Sequence, residues 1–365
     1  MKRILSMGLL TGIAFGAIAQ KDTAAHVTTP PPISITGSVD GYYRYNFDDA
    51  GNNNLTSFTN SQNSFELGMA SVRGDHSFKK GSVVVDLGFG RRAAEFSYND
   101  SSTKNNLFAL KQVYLTYQAC SNAKFTIGKW GTHVGYEVLD AYANRIYSMD
   151  YMFSFGPFFH TGLKVDITLN PSWSLMLGVS NPTDFSTTIS STKVAIAQLG
   201  YATKDSKWKG YLNYQGYYGV STPTTLNTGT SYVLAKSMSQ ADLVINGTLS
   251  TKVGIGFNGT YQSLDLGSTH SWYGIAGYLN YDPNTKLGYT LRAEYFSDKD
   301  GVKINTGIGA NIVDITLSGN WKLDNCLTII PELRVDNSST DGLFLKDGGS
   351  TKNTVSALLA IVYKF

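Results

Sequence analysis

Residues 161–181 read TGLKVDITLNPSWSLMLGVSN. Leu163, Val165, Ile167 and Leu169 alternate with Lys164, Asp166 and Thr168, so successive side chains of one extended segment face opposite ways, one face apolar and the other charged or polar. Asn170-Pro171-Ser172 then breaks the run, and a second one starts at Trp173. Period-two segments joined by a tight turn are a β-hairpin signature.

The same pattern recurs from end to end. Ile35, Gly37, Val39, Gly41, Tyr43 and Tyr45 oppose Ser34, Thr36, Ser38, Asp40, Tyr42, Arg44 and Asn46. Leu243, Ile245, Gly247 and Leu249 oppose Asp242, Asn246 and Thr248, and Leu327, Ile329, Pro331, Leu333 and Val335 oppose Glu332, Arg334 and Asp336. No segment sustains a 3.6-residue period, so the chain is all-β. The alternating spans number sixteen: 34–46, 64–78, 82–91, 108–119, 123–130, 161–170, 173–181, 194–204, 207–218, 239–250, 252–264, 271–282, 286–298, 308–322, 326–336 and 352–365. The alternation of 64–78 slips near Ala70–Arg73. Most spans approach the roughly 9–11 residues with which a tilted strand crosses a bilayer.

The connections sort into two kinds. Every second one is tight, as at Lys79-Lys80-Gly81, Cys120-Ser121-Asn122 and Leu323-Asp324-Asn325. The intervening segments 47–63, 92–107, 131–160, 182–193, 219–238 and 337–351 are long, with 265–270 and 299–307 as the exceptions. A transmembrane barrel sorts its loops this way, with short periplasmic turns and long extracellular loops. Trp173, Trp208 and Trp321 sit beside tight turns on the apolar parity, where an aromatic girdle belongs. Val355, Ala357, Leu359, Ile361, Tyr363 and Phe365 form an apolar face that ends on the last residue. Pairing with the first strand removes both exposed edges, and Tyr363 and Phe365 match a signal for outer-membrane assembly. The predicted architecture is an antiparallel up-and-down transmembrane β-barrel of about sixteen strands spanning 34–365.

The N-terminus fits an exported protein. Met1-Lys2-Arg3 is basic, Ile4–Ala19 is apolar, and Ala17-Ile18-Ala19 is a small-residue cleavage site, so 1–19 reads as a signal peptide. Residues 20–33, with Pro30-Pro31-Pro32, read as a short extended periplasmic lead-in. The net charge of +3 argues against a nucleic-acid binder. Cys120 and Cys326 fall on the same rim, six strands apart at roughly 5 Å each, too far for a disulfide.

Several residues carry a family likeness. Phe89-Gly90, Gln112-Val113-Tyr114, Gly128-Lys129-Trp130, Gly135-Tyr136-Glu137, Asn144, Tyr147-Ser148, Pro157-Phe158 and His160-Thr161-Gly162 resemble the OmpL-like β-barrel porins of Gram-negative bacteria. The resemblance runs from about Ser34 to Phe365 and implies an outer-membrane pore without catalytic residues.

Gly128–Gly162 is the longest stretch that resists reading as strand, and it is rich in aromatics. Long connections are either functional or disordered, and disordered segments are poor in aromatics. Residues 131–160 are therefore expected to fold into the lumen as a constriction loop. Glu137 and Asp140, with Asp150, would line the narrow point, facing Arg91, Arg92, Arg44 and Lys111 on the wall. The same-face pairs Arg292 with Glu294, Glu332 with Arg334 and Lys164 with Asp166 read as a solvated, nearly neutral lumen lining. His133, Glu137, Asp140 and His160 have no metal-ligand spacing. Ser148, Asp150 and His160 lack a nucleophile motif, and Gly88-Phe89-Gly90 lies in a strand rather than a phosphate-binding turn.

The expected function is passive diffusion of small hydrophilic solutes and ions, with no enzyme activity and no cofactor. Outer-membrane lipid, lipopolysaccharide and the barrel-insertion machinery are the expected partners, with a homo-oligomer by analogy. The rivals are a structural or adhesive barrel with a plugged lumen and a hydrophobic-solute transporter. The latter would want an apolar lumen and an N-terminal hatch.

Overall fold

The computed structural model describes residues 32–100, 107–188, 191–219, 224–225, 231–232, 235–304 and 308–365. The signal peptide expected at 1–19 and nearly all of the lead-in at 20–33 lie outside the described residues.

Sixteen antiparallel strands close into one barrel. They are β1 (Ser34–Asn46), β2 (Ser64–Phe78), β3 (Gly81–Phe89), β4 (Leu110–Cys120), β5 (Ala123–Gly131), β6 (Phe159–Thr168), β7 (Trp173–Ser180) and β8 (Val194–Ala202). The second half is β9 (Trp208–Tyr218), β10 (Ser237–Thr248), β11 (Val253–Asp265), β12 (Thr269–Tyr281), β13 (Leu287–Asp298), β14 (Ala310–Lys322), β15 (Leu327–Ser338) and β16 (Asn353–Lys364). Each strand pairs with its sequence neighbours, and β16 pairs with β1. Gly37 and Phe365 exchange backbone hydrogen bonds of 3.1 and 3.0 Å, so the seam closes at the last residue. Connections on one rim span two to five residues. On the other they run from the three residues 266–268 to the 27 residues 132–158.

Alternation governs which way each side chain points. In β14, Val313, Ile315 and Leu317 are 39%, 48% and 51% exposed on the outer surface, while Asp314, Thr316 and Ser318 are fully buried inside. An apolar exterior is stable only against lipid. Trp173, Trp208 and Trp321 are exposed on that exterior at the short-turn rim, and Trp173 packs on Tyr201 with ring centroids 4.7 Å apart. Cys120 and Cys326 are free thiols.

Two bulges redirect inward residues. Asp40 pairs with Met69 and Gly41 with Leu67, which leaves Gly68 as the extra residue. The slip in 64–78 thus falls at Gly68 rather than at Ala70–Arg73. A Cβ on Gly68 would collide with the Asp40 carboxylate and the Tyr147 hydroxyl. The second bulge lies in β4, where Asp86 pairs with Gln112 and Leu87 with Leu110, so Lys111 is the extra residue and points into the lumen.

The 3.6-residue period absent from the sequence reading does occur briefly. Arg91–Phe96 forms helix α1 and Tyr151–Phe155 forms helix α2, both too short to leave a periodic signature.

The inner wall is also less uniformly polar than its parity predicted. Ile330, Leu358, Ala360 and Val362 face inward against Ala141 and Tyr147. Trp272, Phe296 and Ile312 face inward against Ile146, Tyr151 and Met152. The reason is what they meet: each apolar wall patch packs on residues of the segment 132–158 rather than on water.

Candidate pore constriction

Segment 132–158 leaves β5 at Gly131 and runs through the barrel interior to rejoin the wall at β6. Its first part follows the β9–β12 wall. Gly135 N donates to Asp242 Oδ1 (3.1 Å) and Tyr136 N to Asn258 Oδ1 (3.3 Å). The Tyr136 ring stacks on Tyr278 at 4.1 Å and lies over Gly256, where a Cβ would stand 2.6 Å from it. Asn144 then closes residues 138–144 into a lobe, accepting from Val138 N (3.1 Å) and donating to Val138 O (2.6 Å). Arg145 is the tip. It reaches the short-turn rim, where it pairs with Asp282 at 2.7 Å, while Asn320 and Ser318 donate to its carbonyl.

The returning part is held by three adjacent strands. Strand register places Glu294, Asp314 and Asp336 in one inward row, and Arg292, Thr316 and Arg334 in the next. Three carboxylates abreast would repel, but arginines interleave them. Arg292 lies 2.8 Å from Asp314, and Arg334 lies 2.8 Å from Asp336 and 3.5 Å from Asp314. The groups left over take the segment's backbone. Glu332 accepts from Tyr147 N and Ser148 N. Glu294 accepts from Tyr151 N (2.8 Å) and Met152 N (2.9 Å), the open donors at the start of α2. Arg292 donates to Ser148 O (2.9 Å), and Arg334 to Met149 O (2.7 Å). Asp150 caps α2 by accepting from Phe153 N (2.6 Å).

This corrects the reading of Arg292/Glu294 and Glu332/Arg334 as solvated same-strand pairs. Parity put them on the lumen face, but buried backbone donors and acceptors lie closer than water does. Only Lys164 and Asp166 pair along one strand as expected, at 3.3 Å and part-exposed.

The residues expected at the narrow point do not gather in one place. Glu137 meets Arg292 at 2.6 Å rather than Arg91 or Arg92. Asp140 meets Lys111 at 2.6 Å, and Lys111 also meets Asp86 at 3.2 Å. Asp150 receives the Tyr278 hydroxyl at 2.8 Å. Arg92 is fully buried from α1, donating to Leu139 O (2.9 Å) and Tyr147 O (3.1 Å) between the Phe58 and Tyr147 rings. Arg44 turns to Ser61 O (2.8 Å), and Arg91 pairs with Glu95 (2.9 Å) within α1 and lies 3.7 Å from Glu66. Acidic segment and basic wall therefore touch rather than face each other across open water. Asp314, Asp336, Asp242, Asp40 and Tyr278 complete the contacts. Their one sequence signal is an ionisable or hydroxyl group on the inward parity.

Cavities flank this contact. One of about 470 Å³, lined in part by Phe158, Asp184 and Gln215, opens at the long-loop rim. A cavity of about 320 Å³, lined by Phe158, Glu137, Asp140 and Lys111, lies beside the segment. Another of about 370 Å³, lined by Lys111, Asp86 and Tyr142, lies toward the short-turn rim. Phe158 is common to the first two and Lys111 to the last two, so the Lys111–Asp140 contact separates two successive spaces. Among the described residues, no three or more His, Cys, Asp and Glu side chains are grouped to hold a metal ion.

The family model for putative beta-barrel porin-2, OmpL-like, matches residues 32–365. No curated protein sequence matches this chain. Among solved structures, OprB of Pseudomonas putida aligns with a TM-score of 0.63 at 11% identity, covering 91% of this chain and 94% of its own. The anion-selective porin from Comamonas acidovorans aligns at 0.61 and 12% identity, covering 92% and 99%. The trimer form of OmpT from Vibrio cholerae aligns at 0.57 and 13%, covering 92% and 99%. At such identities the likeness is one of fold.

Proposed function

The chain belongs to the OmpL-like β-barrel porin family, and from that premise we propose that this outer-membrane porin passes small hydrophilic solutes and ions by passive diffusion through a lumen narrowed by segment 132–158. It is a channel rather than an enzyme. The observation that carries the reading is the grip of Glu294, Glu332, Arg292 and Arg334 on the backbone of residues 147–152. A surface loop would leave those groups to water.

The proposed route runs from the long-loop vestibule past Phe158, beside Glu137 and Asp140, and past the Lys111–Asp140 contact to the short-turn mouth. Lys111, Asp140 and Glu137 are the proposed pore-lining residues, whereas Arg91, Arg92, Arg44 and Asp150 serve by holding the loops that shape the route. Outer-membrane lipid and lipopolysaccharide, the insertion machinery acting on Tyr363 and Phe365, and self-association into a homo-oligomer belong to the same proposal.

Single-channel recording in planar bilayers tests it. Deletion of residues 138–144, whose ends are already bridged by Asn144, should raise conductance. An unchanged conductance refutes the constriction, and a folded wild-type barrel that never conducts refutes the pore. A second reading, a plugged structural or adhesive barrel, draws on the complete burial of Arg292, Asp314, Thr316 and Ser318 at mid-wall, and the same recording separates the two.

A further inference from the structure

The mixed charges of the inner wall are used up at mid-barrel, and at the short-turn mouth lysines outnumber carboxylates. Arg145 divides that mouth into two cavities. One, of about 530 Å³, is lined by Arg145, Lys207, Lys209 and Lys252, with Asp282 as its one carboxylate. The other, of about 540 Å³, is lined by Arg145, Lys286, Lys322 and Lys364, with Asp324 as its one carboxylate. Arg145 takes up the charge of Asp282, and Asp205 that of Lys207 at 3.7 Å, so lysines stay in surplus in both cavities even with Asp324 counted. Asp282 is held by Arg145 at 2.7 Å, and Asp324 accepts from Cys326 N (2.6 Å) and Leu327 N (2.7 Å) in its turn. Among the described residues, Lys209, Lys252, Lys286, Lys322 and Lys364 have no carboxylate within 4.0 Å. The cavity at the opposite rim carries Asp184 with Lys303, and Glu95 there is already paired with Arg91 at 2.9 Å.

The geometry points to an anion-accumulating vestibule at the periplasmic mouth, taking small inorganic anions and mono- or dicarboxylates. Like charges lining a cleft with low-dielectric walls focus their field, and local counter-ion concentration rises by roughly 10–1,000-fold at low salt. Rings of Lys and Arg are the usual basis of anion preference in pores. Current through the pore should therefore prefer anions. This consequence for current rests on the pore reading above, whereas accumulation at the mouth does not.

Cys326 is a native reporter, since it lines the cavity that holds Lys322 and Lys364. In a Cys120→Ser background it is the sole thiol. Its modification rates with an anionic sulfonatoethyl and a cationic trimethylammonioethyl methanethiosulfonate can be compared on the folded full-length protein, each normalised to free cysteine. The anionic reagent should be favoured about tenfold or more at low salt. The ratio should approach one near 1 M salt, where the screening length is about 3 Å, and should invert in Lys322→Glu/Lys364→Glu. Asn246→Cys, in a Cys120→Ser/Cys326→Ser background, repeats the measurement in the first cavity. Equal normalised rates at low salt in both positions overturn the proposal. In bilayers, the reversal potential under a KCl gradient should report anion preference. Cation preference in a conducting pore also overturns the proposal, whereas a barrel that never conducts defeats the pore reading and leaves the reagent ratios to decide the vestibule.

Discussion

Arg292→Met isolates the grip on the constriction. Arg292 is fully buried and pairs with Glu137 (2.6 Å) and Asp314 (2.8 Å), and it donates to Ser148 O (2.9 Å). Methionine fills much of the same volume but donates nothing. The two carboxylates it strands are not equally exposed to harm. Asp314 keeps Thr316 Oγ1 at 2.7 Å and Arg334 at 3.5 Å. Glu137 keeps only Asp150 N at 2.8 Å and the Tyr278 hydroxyl at 3.3 Å, so the damage falls on the segment rather than on the wall. Removing one partner of a buried ion pair costs about 3–5 kcal/mol. At about 1.4 kcal/mol per factor of ten, the docked state of segment 132–158 should lose roughly 100- to 4,000-fold in population relative to the undocked one. The barrel frame, held by its backbone ladder, should persist.

Two assays read this directly: single-channel conductance, which should rise and become noisier, and limited proteolysis within 138–149, which should accelerate. Arg292→Met/Glu137→Leu removes both charges and should recover much of the loss, because replacing a buried pair by apolar residues is often near neutral. Wild-type conductance and protease resistance in a single variant whose heat-modifiable migration shows a folded barrel would refute the reasoning. A double variant as open as the single one would show that an unpaired Glu137 is not the cause.

Other expectations follow from the same contacts. Lys111→Met removes the bridge between Asp86 and Asp140 and should raise conductance while shifting the reversal potential toward cations; unchanged recordings would place the route elsewhere. Gly256→Val sets a Cβ 2.6 Å from the Tyr136 ring, and the overpacking should lower stability by about 1–3 kcal/mol, read as an earlier urea midpoint in detergent. Asp184 accepts from Phe158 N and Phe159 N, and burial pushes it from an ordinary 3.8 up to about 6. Its folded value exceeds its unfolded one, so its contribution is greatest below about pH 4 and is lost as pH rises through 6, a change of roughly 3 kcal/mol. Hydrogen exchange at the Phe158 and Phe159 amides, corrected for intrinsic rate, should therefore be slower at pH 5 than at pH 8. Equal pH dependence in Asp184→Asn would refute it.

The exterior of this barrel was legible because it obeys one strict rule. Lipid demands an apolar side chain at every second position, and β1 and β2 emerge at Ser34–Asn46 and Ser64–Phe78, the limits that alternation predicted. The bulges at Gly68 and Lys111 break that rule by a single residue, which a pattern of period two registers only as noise. Helix α1, six residues of RRAAEF, is shorter than two turns and has no period to detect, so Arg91 read as strand and Arg92 as part of the wall. The constriction was legible in its aromatics but not in its partners. Glu294 meets Tyr151 across 143 positions of sequence, and Asp336 meets it across 185. Parity states that Arg292, Glu294, Glu332 and Arg334 face inward. It cannot state whether water or polypeptide awaits them there.

That last distinction accounts for the composition of the wall. The carboxylates of β13 and β15 would be costly to bury without donors, and the amides of residues 147, 148, 151 and 152 equally costly without acceptors. Each set is tolerable only in the presence of the other, so the inward charges and the long segment form one interlocked unit. The inward apolar patches make the same point from the other side. Ile330, Leu358 and Val362 would be misplaced in a water-filled lumen, yet they are satisfied against Ala141 and Tyr147. An order of assembly follows from chain position. The segment is synthesised before every strand that clamps it most tightly, and its acceptors are brought together only by the register of β13, β14 and β15. Long-range contacts of this kind repay their loop-closure entropy late. Docking of the segment therefore depends on a barrel already in register, and the constriction is a consequence of closure rather than a template for it.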